Sequence, residues 1–273
     1  MTASQHDKAI RFRALHEGPA AFLIANAWDA GSARILDGLG FTALATSSGA
    51  SAAVFGRRDG RITREEALGH CRAIVEATEL PVSADLEKGF GDAPEAVAET
   101  IRLAAQAGLV GGSIEDTTGR SEQPFYGMTQ AVERIAAAVE AARSLPFPFT
   151  LTARAENFIR GNPDLDDTIA RLQAFEKAGA DVLFAPGLPD LDAVRAVCGA
   201  LGKPFNFMVA IRGKSFTVAQ LQAAGVRRIS LATSLYRAAM TGLVDAAREA
   251  KEQGTFNFVD RMMTTPELNA FMR

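Results

Sequence analysis

Short apolar runs rich in β-branched residues alternate along the chain with longer segments whose apolar positions recur every three or four residues. The first pattern is that of buried strands and the second that of amphipathic helices. Strand candidates are AFLIAN from Ala21, TALATSS from Thr42, PVSADLE from Pro81, GGSIED from Gly111, FTLTARAE from Phe149, ADVLFAPG from Ala180, PFNFMVA from Pro204 and RRISLAT from Arg227, eight in all. Between them lie helical patterns such as REEALGHCRAIVEAT, PEAVAETIRLAAQAG, AVERIAAAVEAARS, DDTIARLQAFEKAG and DLDAVRAVCGALG. Thr63 ahead of Glu66, and Pro94 after Ala93, read as helix starts. Gly40, Gly108, Gly179 and Gly225 each follow an apolar stretch and precede a strand, where a left-handed glycine closes a helix. Strands alternating with helices need right-handed crossovers and a parallel sheet. Eight such units favour a closed (β/α)8 TIM barrel over a doubly wound sheet.

No linker or break in composition interrupts the series, so residues 1–273 read as a single barrel domain. The stretch 254–273 differs, because Phe256, Phe258, Met262, Met263, Leu268, Phe271 and Met272 fall beyond the eighth unit. That is more apolar surface than a solvated tail shows. It reads as a C-terminal helical extension that packs on its own barrel or on a neighbouring subunit.

Composition narrows the partner. The chain is 48% hydrophobic and 22% charged, an ordinary globular balance. A net charge of −3 gives no basic footprint for nucleic acid or anionic lipid. No run of about 18 apolar residues is present to span a bilayer, and MTASQHDKAIRFRALHEG lacks the apolar core of a secretory signal. A cytoplasmic protein acting on a small molecule is expected. Cys71 and Cys198 fall in helical segments without ligand spacing and read as core thiols rather than as a disulfide or zinc site.

In a (β/α)8 barrel the active site lies at the C-terminal ends of the strands. The third strand ends Asp85-Leu86-Glu87, the fourth Glu115-Asp116 and the fifth Arg154-Ala155-Glu156. Side chains two apart on a strand share a face, so Asp85 with Glu87, and Arg154 with Glu156, can aim at one centre. Carboxylates converging at an apolar mouth repel each other and lose hydration, at several kcal/mol per uncompensated ion. A divalent cation removes that cost. His6, His16 and His70 lie away from the acidic strand ends. All-oxygen ligation therefore points to Mg²⁺, or Mn²⁺, over zinc or iron. Glu115, Asp116, Arg154 and Glu156 also suit structural ion pairs, whereas the Asp85 and Glu87 pair has few such uses. KGFGD, from Lys88 to Asp92, reads as a turn, and no GxGxxG or Walker pattern is present.

With ADLEKGFGD at 84–92, SIEDTTG at 113–119, TARAE at 152–156 and NAWDAGSA at 26–33, the chain resembles the isocitrate lyase and phosphoenolpyruvate mutase superfamily over nearly its whole length. The resemblance implies Asp85 as direct metal ligand, with Asp59, Glu87 and Glu115 reaching Mg²⁺ mainly through water. It implies Arg154 as the grip on a substrate carboxylate. Ser47 and the amides near Gly49 and Ala50 would hold the carboxylate and oxo oxygen, and Asn206 would line the pocket. Asp59, Glu115 and Arg154 form the catalytic set on this basis. It also implies a homo-oligomer, a dimer or tetramer, that swaps its last helix between subunits.

Isocitrate and methylisocitrate lyases carry a KKCGH or KRCGH loop after the fourth strand. Here that region reads TTGRSEQPFYG, without Cys or His. The Lys and Asn-x-Ser of the phosphoenolpyruvate mutases are not found there either. The segment after the sixth strand, APGLPD at 185–190, has no ionisable residue before Asp190. What the resemblance leaves is a Mg²⁺-dependent lyase or decarboxylase. It would cleave a C–C bond of an oxaloacetate-like or 2-substituted malate-like acid through an enolate, with Tyr126, Arg120 and Glu122 as candidate proton donors. The alternatives are a phosphonomutase or phosphonopyruvate hydrolase, and a barrel that binds a 2-oxo acid without turnover.

Overall fold

A computed structural model describes residues 3–272. The elements run α1 (Gln5–Glu17), β1 (Phe22–Asn26), α2 (Ala30–Gly38), β2 (Leu44–Ala45), α3 (Ser48–Val54), α4 (Arg64–Glu76), β3 (Val82–Asp85), α5 (Pro94–Gln106), β4 (Gly111–Glu115) and α6 (Met128–Arg143). They continue with β5 (Thr150–Arg154), α7 (Leu165–Lys177), β6 (Val182–Phe184), α8 (Leu191–Ala200), β7 (Phe205–Met208), α9 (Val218–Ala223), β8 (Arg228–Ser230), α10 (Ser234–Arg248) and α11 (Thr265–Phe271). Each strand pairs in parallel with the next and β8 returns to β1, closing an eight-stranded barrel. The expected (β/α)8 barrel is therefore the fold. Thr63 and Glu66 form a reciprocal capping box, and Pro94 opens α5. Gly40, Gly108, Gly179 and Gly225 all have φ between 85° and 102°.

The strands are shorter than their apolar runs. TALATSS contributes only Leu44 and Ala45 to the ladder, because Ser47 turns the chain into α3. Asp85 fixes that turn by accepting a hydrogen bond from the Ser48 amide at 3.2 Å.

The main core lies between the barrel's outer face and its helices, where Ile101, Leu151, Phe175 and Val194 are fully buried. A second, smaller core lies under the barrel. There α1 places Lys8, Phe12 and His16, at helical spacing, across the N-terminal ends of the strands. Phe12 and Phe22 meet His16 edge to face at 4.8 and 5.0 Å. Gly111 is what admits this plug: a Cβ there would lie 2.9 Å from both the Phe12 ring and the Thr150 carbonyl.

The C-terminal extension is present. Phe271 lies over Gly38 of α2, where a Cβ would stand 2.6 Å from its ring. The rest finds little cover, for α10 has no buried residue and Leu243, Phe256, Met262 and Met263 are exposed. Among the described residues no helix is long and apolar enough to cross a membrane.

Candidate active site at the barrel mouth

Because side chains alternate along a strand, one face of each lines the barrel interior. That face carries Asn26 on β1, Ser83 and Asp85 on β3, Ser113 and Glu115 on β4, Thr152 and Arg154 on β5, and Asn206 on β7. Barrel interiors are usually filled by bulky branched residues. Here small and polar ones leave a cavity of about 330 Å³, lined by Ser47, Ser48, Asp59, Asp85, Arg154 and Asn206 among others. A second cavity of about 540 Å³ shares Ser48, Asp59 and Arg154 with it and adds Glu87, Glu115, Glu156 and Arg160. The acidic residues thus stand where the two cavities meet.

Arg154 is the hub. Its Nε and Nη2 donate to one oxygen of Glu156 at 3.0 and 2.8 Å, and its Nη1 donates to Asp85 at 3.0 Å. Nη2 also lies 3.2 Å from Glu115, and Phe184 stacks under the guanidinium at 5.0 Å. Burial alone would lower its pKa, but Glu156, Asp85 and Glu115 outweigh burial and hold it charged. Of the five N–H donors of an arginine, four face these carboxylates, leaving one on Nη1. The full planar fork expected for a substrate carboxylate is engaged by Glu156 instead.

The carboxylates are not equivalent. Asp85 is anchored on every side, accepting from Arg154, the Ser48 amide and the Glu87 amide. Glu87 has φ +50°, and among the described residues its buried Oε1 has no hydrogen-bond partner. Desolvation, then repulsion by Asp85 and Asp59, pushes it up to about 7. Asp59 is exposed on the loop between α3 and α4, its Oδ2 3.4 Å from where a Cβ on Gly49 would sit. Glu115 is buried, and desolvation with the neighbouring Glu156 raises it well above the usual carboxylate range. Asp116 is a structural bolt, accepting from the Glu156 amide at 2.9 Å and pairing with Arg171 at 3.2 Å.

Asp59, Asp85, Glu87, Glu115 and Arg154 are therefore brought together, with Ser47 and Asn206 on the cavity wall. Gly49 and Ala50 follow Ser48 in the first turn of α3; Ser48 lines both cavities, and Gly49 packs against Asp59 and Thr233 of the cavity wall. Tyr126, Arg120 and Glu122 line neither cavity. Tyr126 donates to Asp92 at 2.6 Å, and Arg120 pairs with Asp92 at 2.9 Å. Asp190 caps α8. Glu156, which the strand alternation aims at the same centre as Arg154, is the carboxylate that holds it, whereas Phe184 and Arg228 on the cavity wall were not among the sequence candidates. Arg228 shares the inward face of β8 with Ser230, a period-two signal that was available.

A parallel eight-stranded barrel with these ionisable groups at its mouth is that of a (β/α)8-barrel enzyme equipped with carboxylate and guanidinium groups. Residues 12–251 match the family model described as phosphoenolpyruvate phosphomutase, and the chain belongs to that family, within the PEP mutase/isocitrate lyase superfamily of lyases and mutases. It is 31% identical over 258 residues to an oxaloacetate decarboxylase of Chromohalobacter salexigens, covering 92% of this chain and 88% of that one. A solved structure from Burkholderia cenocepacia J2315, provisionally described as a lyase or mutase, is 53% identical with a TM-score of 0.96, covering 98% of this chain and 96% of that one. A 2,3-dimethylmalate lyase structure is 27% identical with a TM-score of 0.87, covering 97% and 95%.

Proposed function

We propose that the chain is a Mg²⁺-dependent lyase or decarboxylase that cleaves a C–C bond of a small 2-oxo or 2-hydroxy diacid, oxaloacetate-like or 2-substituted malate-like. The carrying observation is Glu87. A buried carboxylate oxygen without a partner, facing two further carboxylates, marks a place where positive charge is wanted. The donors are all oxygen, which suits Mg²⁺ or Mn²⁺. Among the described residues no three His, Cys, Asp or Glu side chains are close enough to hold an ion between them. The fit is thus to an ion that keeps several waters, the habit of Mg²⁺. Asp85 would hold it directly, with Asp59, Glu87 and Glu115 through water. Once bound, the ion would supply Lewis acidity toward the oxygen that becomes negative as the bond breaks.

The chain's own groups do the rest. Arg154, held rigid by Glu156, Glu115 and Asp85, offers its remaining N–H and its charge to the substrate carboxylate. Ser47 and Asn206 orient the acid from the wall. The loop after β4, TTGRSEQPFYG, favours carbon over phosphorus as the leaving centre, because its one cation, Arg120, is paired with Asp92. We propose further that the exposed apolar face of α10 and residues 254–273 docks on a second copy of the chain.

The test is a panel assayed with Mg²⁺: oxaloacetate, 2-substituted malates and phosphonopyruvate, read as release of pyruvate, glyoxylate, oxalate or CO₂. Diacid cleavage is expected to dominate. Faster turnover of phosphonopyruvate than of every diacid would overturn the reading, and no turnover at all would leave a binding barrel.

A further inference from the structure

The barrel floor carries a second guanidinium that the mouth chemistry does not use. Arg228 starts β8, points inward and is 5% exposed. Its Nε donates to Asn206 Oδ1 at 2.8 Å, one Nη2 hydrogen to Thr152 Oγ1 at 3.0 Å, and Nη1 faces His16 Nε2 at 3.5 Å. All three acceptors are neutral. Among the described residues no carboxylate pairs with it, and Arg154 is the charge it feels. Two of its five N–H donors remain without a partner. Burial and Arg154 lower its pKa to about 9, which still leaves it cationic at neutral pH.

A buried charge without a counter-ion is costly, and proteins usually pair it. Arg154, two residues beyond Thr152 on β5, is neutralised by three carboxylates, whereas Arg228 is neutralised by none. Both line the same cavity, which reaches the floor because Ser83 and Ser113 stand where bulky residues would fill it. Two residues of strand span roughly 7 Å, a gap that a diacid of four or more carbons bridges.

We propose that Arg228 is the distal-carboxylate subsite: it binds the second carboxylate of a diacid whose 2-oxo or 2-hydroxy end lies at the mouth. Asn206 and Thr152 position its guanidinium, and His16 closes the floor beneath it. This rests on the reading of the mouth as a 2-oxo acid site and adds a requirement for a second negative charge. It also sets a minimum ligand length, so that oxalate engages the mouth alone.

Calorimetry with Mg²⁺ and three ligands tests it: oxalate, (S)-malate, and the 4-amide of malate, which keeps the 2-hydroxy acid end and loses the distal charge. The wild type should bind malate at least about tenfold more tightly than the amide, the least that a charged hydrogen bond contributes. Arg228→Met should bind malate and amide alike and keep its oxalate affinity, and Arg228→Lys should recover part of the preference. Equal affinity of the wild type for malate and amide would overturn the proposal, even if the variants fail to fold. So would a folded Arg228→Met that keeps the preference. Oxalate binding that ignores Mg²⁺ would instead count against the metal reading of the mouth, leaving the malate and amide comparison to decide Arg228.

Discussion

His16 is a residue through which mild acid should weaken this fold. Its Nδ1 lies 2.8 Å from the Phe12 carbonyl and must donate to it, so Nε2 carries the lone pair that faces Arg228. Protonation would put a second N–H against a guanidinium, inside an aromatic cage of Phe12 and Phe22. Desolvation first, then the charge of Arg228, lowers its pKa from 6.5 to about 3. Between those values the unfolded chain binds a proton that the folded chain refuses. Stability therefore rises with pH across that window, and is lost as pH falls below 6.5. At pH 5 the difference of about 1.5 units corresponds to roughly 2 kcal/mol. Urea unfolding at pH 7.5 and 5.0 measures it, with His16→Gln as the non-titrating reference. The wild type should lose about 2 kcal/mol more than the variant over that interval. Equal losses in the two proteins, or a His16 imidazole seen by NMR to protonate near pH 6.5 in the folded state, would refute the reasoning.

Asp85→Asn should abolish Mg²⁺-dependent oxalate binding while circular dichroism stays unchanged; unchanged affinity in calorimetry would remove Asp85 from the metal site. Arg154→Lys should cost at least about 2 kcal/mol in kcat/KM, because a point charge cannot satisfy Glu156, Glu115 and Asp85 together. A silent substitution there would sink the site assignment. Removing residues 255–273 should lower the mass seen in light scattering, and a full-length protein that is monomeric at micromolar concentration would contradict the docking of α10 and the extension on a second copy.

The barrel was legible because its signals are local. Alternating strand and helix periods, the capping box at Thr63 and the four left-handed glycines each follow from a few neighbouring residues. The charged strand ends were legible for the same reason, since Asp85, Glu87, Glu115 and Arg154 line the two cavities at the mouth. What could not be read was which groups partner which. Arg154 looked free to grip a substrate with its whole fork, yet Glu156, two residues on, takes two of its donors. The early turn into α3 was not legible either, and it makes Ser48 the residue of that segment that lines both cavities. Arg228 went unread because RRIS offers two adjacent arginines. Alternation with Ser230 favours Arg228 as the inward one of the two, and the register shows it, while Arg227 reaches the Pro19 carbonyl outside.

The backbone at the mouth departs from local preference where the candidate chemistry is densest. Glu87, Gly89 and Phe90 all have positive φ, at 50°, 81° and 58°, and two of the three are not glycine. Such strain costs on the order of 1–3 kcal/mol per residue and persists only where surroundings over-determine it. The surroundings here are identifiable. The Glu87 amide donates to Asp85, the Glu87 carbonyl accepts from Glu115 on β4, and the Gly89 amide donates to Leu86. Beneath the loop lies Arg134 of α6, 1% exposed and in no salt bridge among the described residues, stacked on Tyr126 and donating to the carbonyls of Lys88, Gly91 and Asp92. A guanidinium that satisfies three loop carbonyls from below fixes the loop's path, and that path sends Glu87 back toward Asp85 and Asp59. The placement of Glu87 at the mouth therefore depends on a buried cation on a helix as well as on the strand end that precedes it.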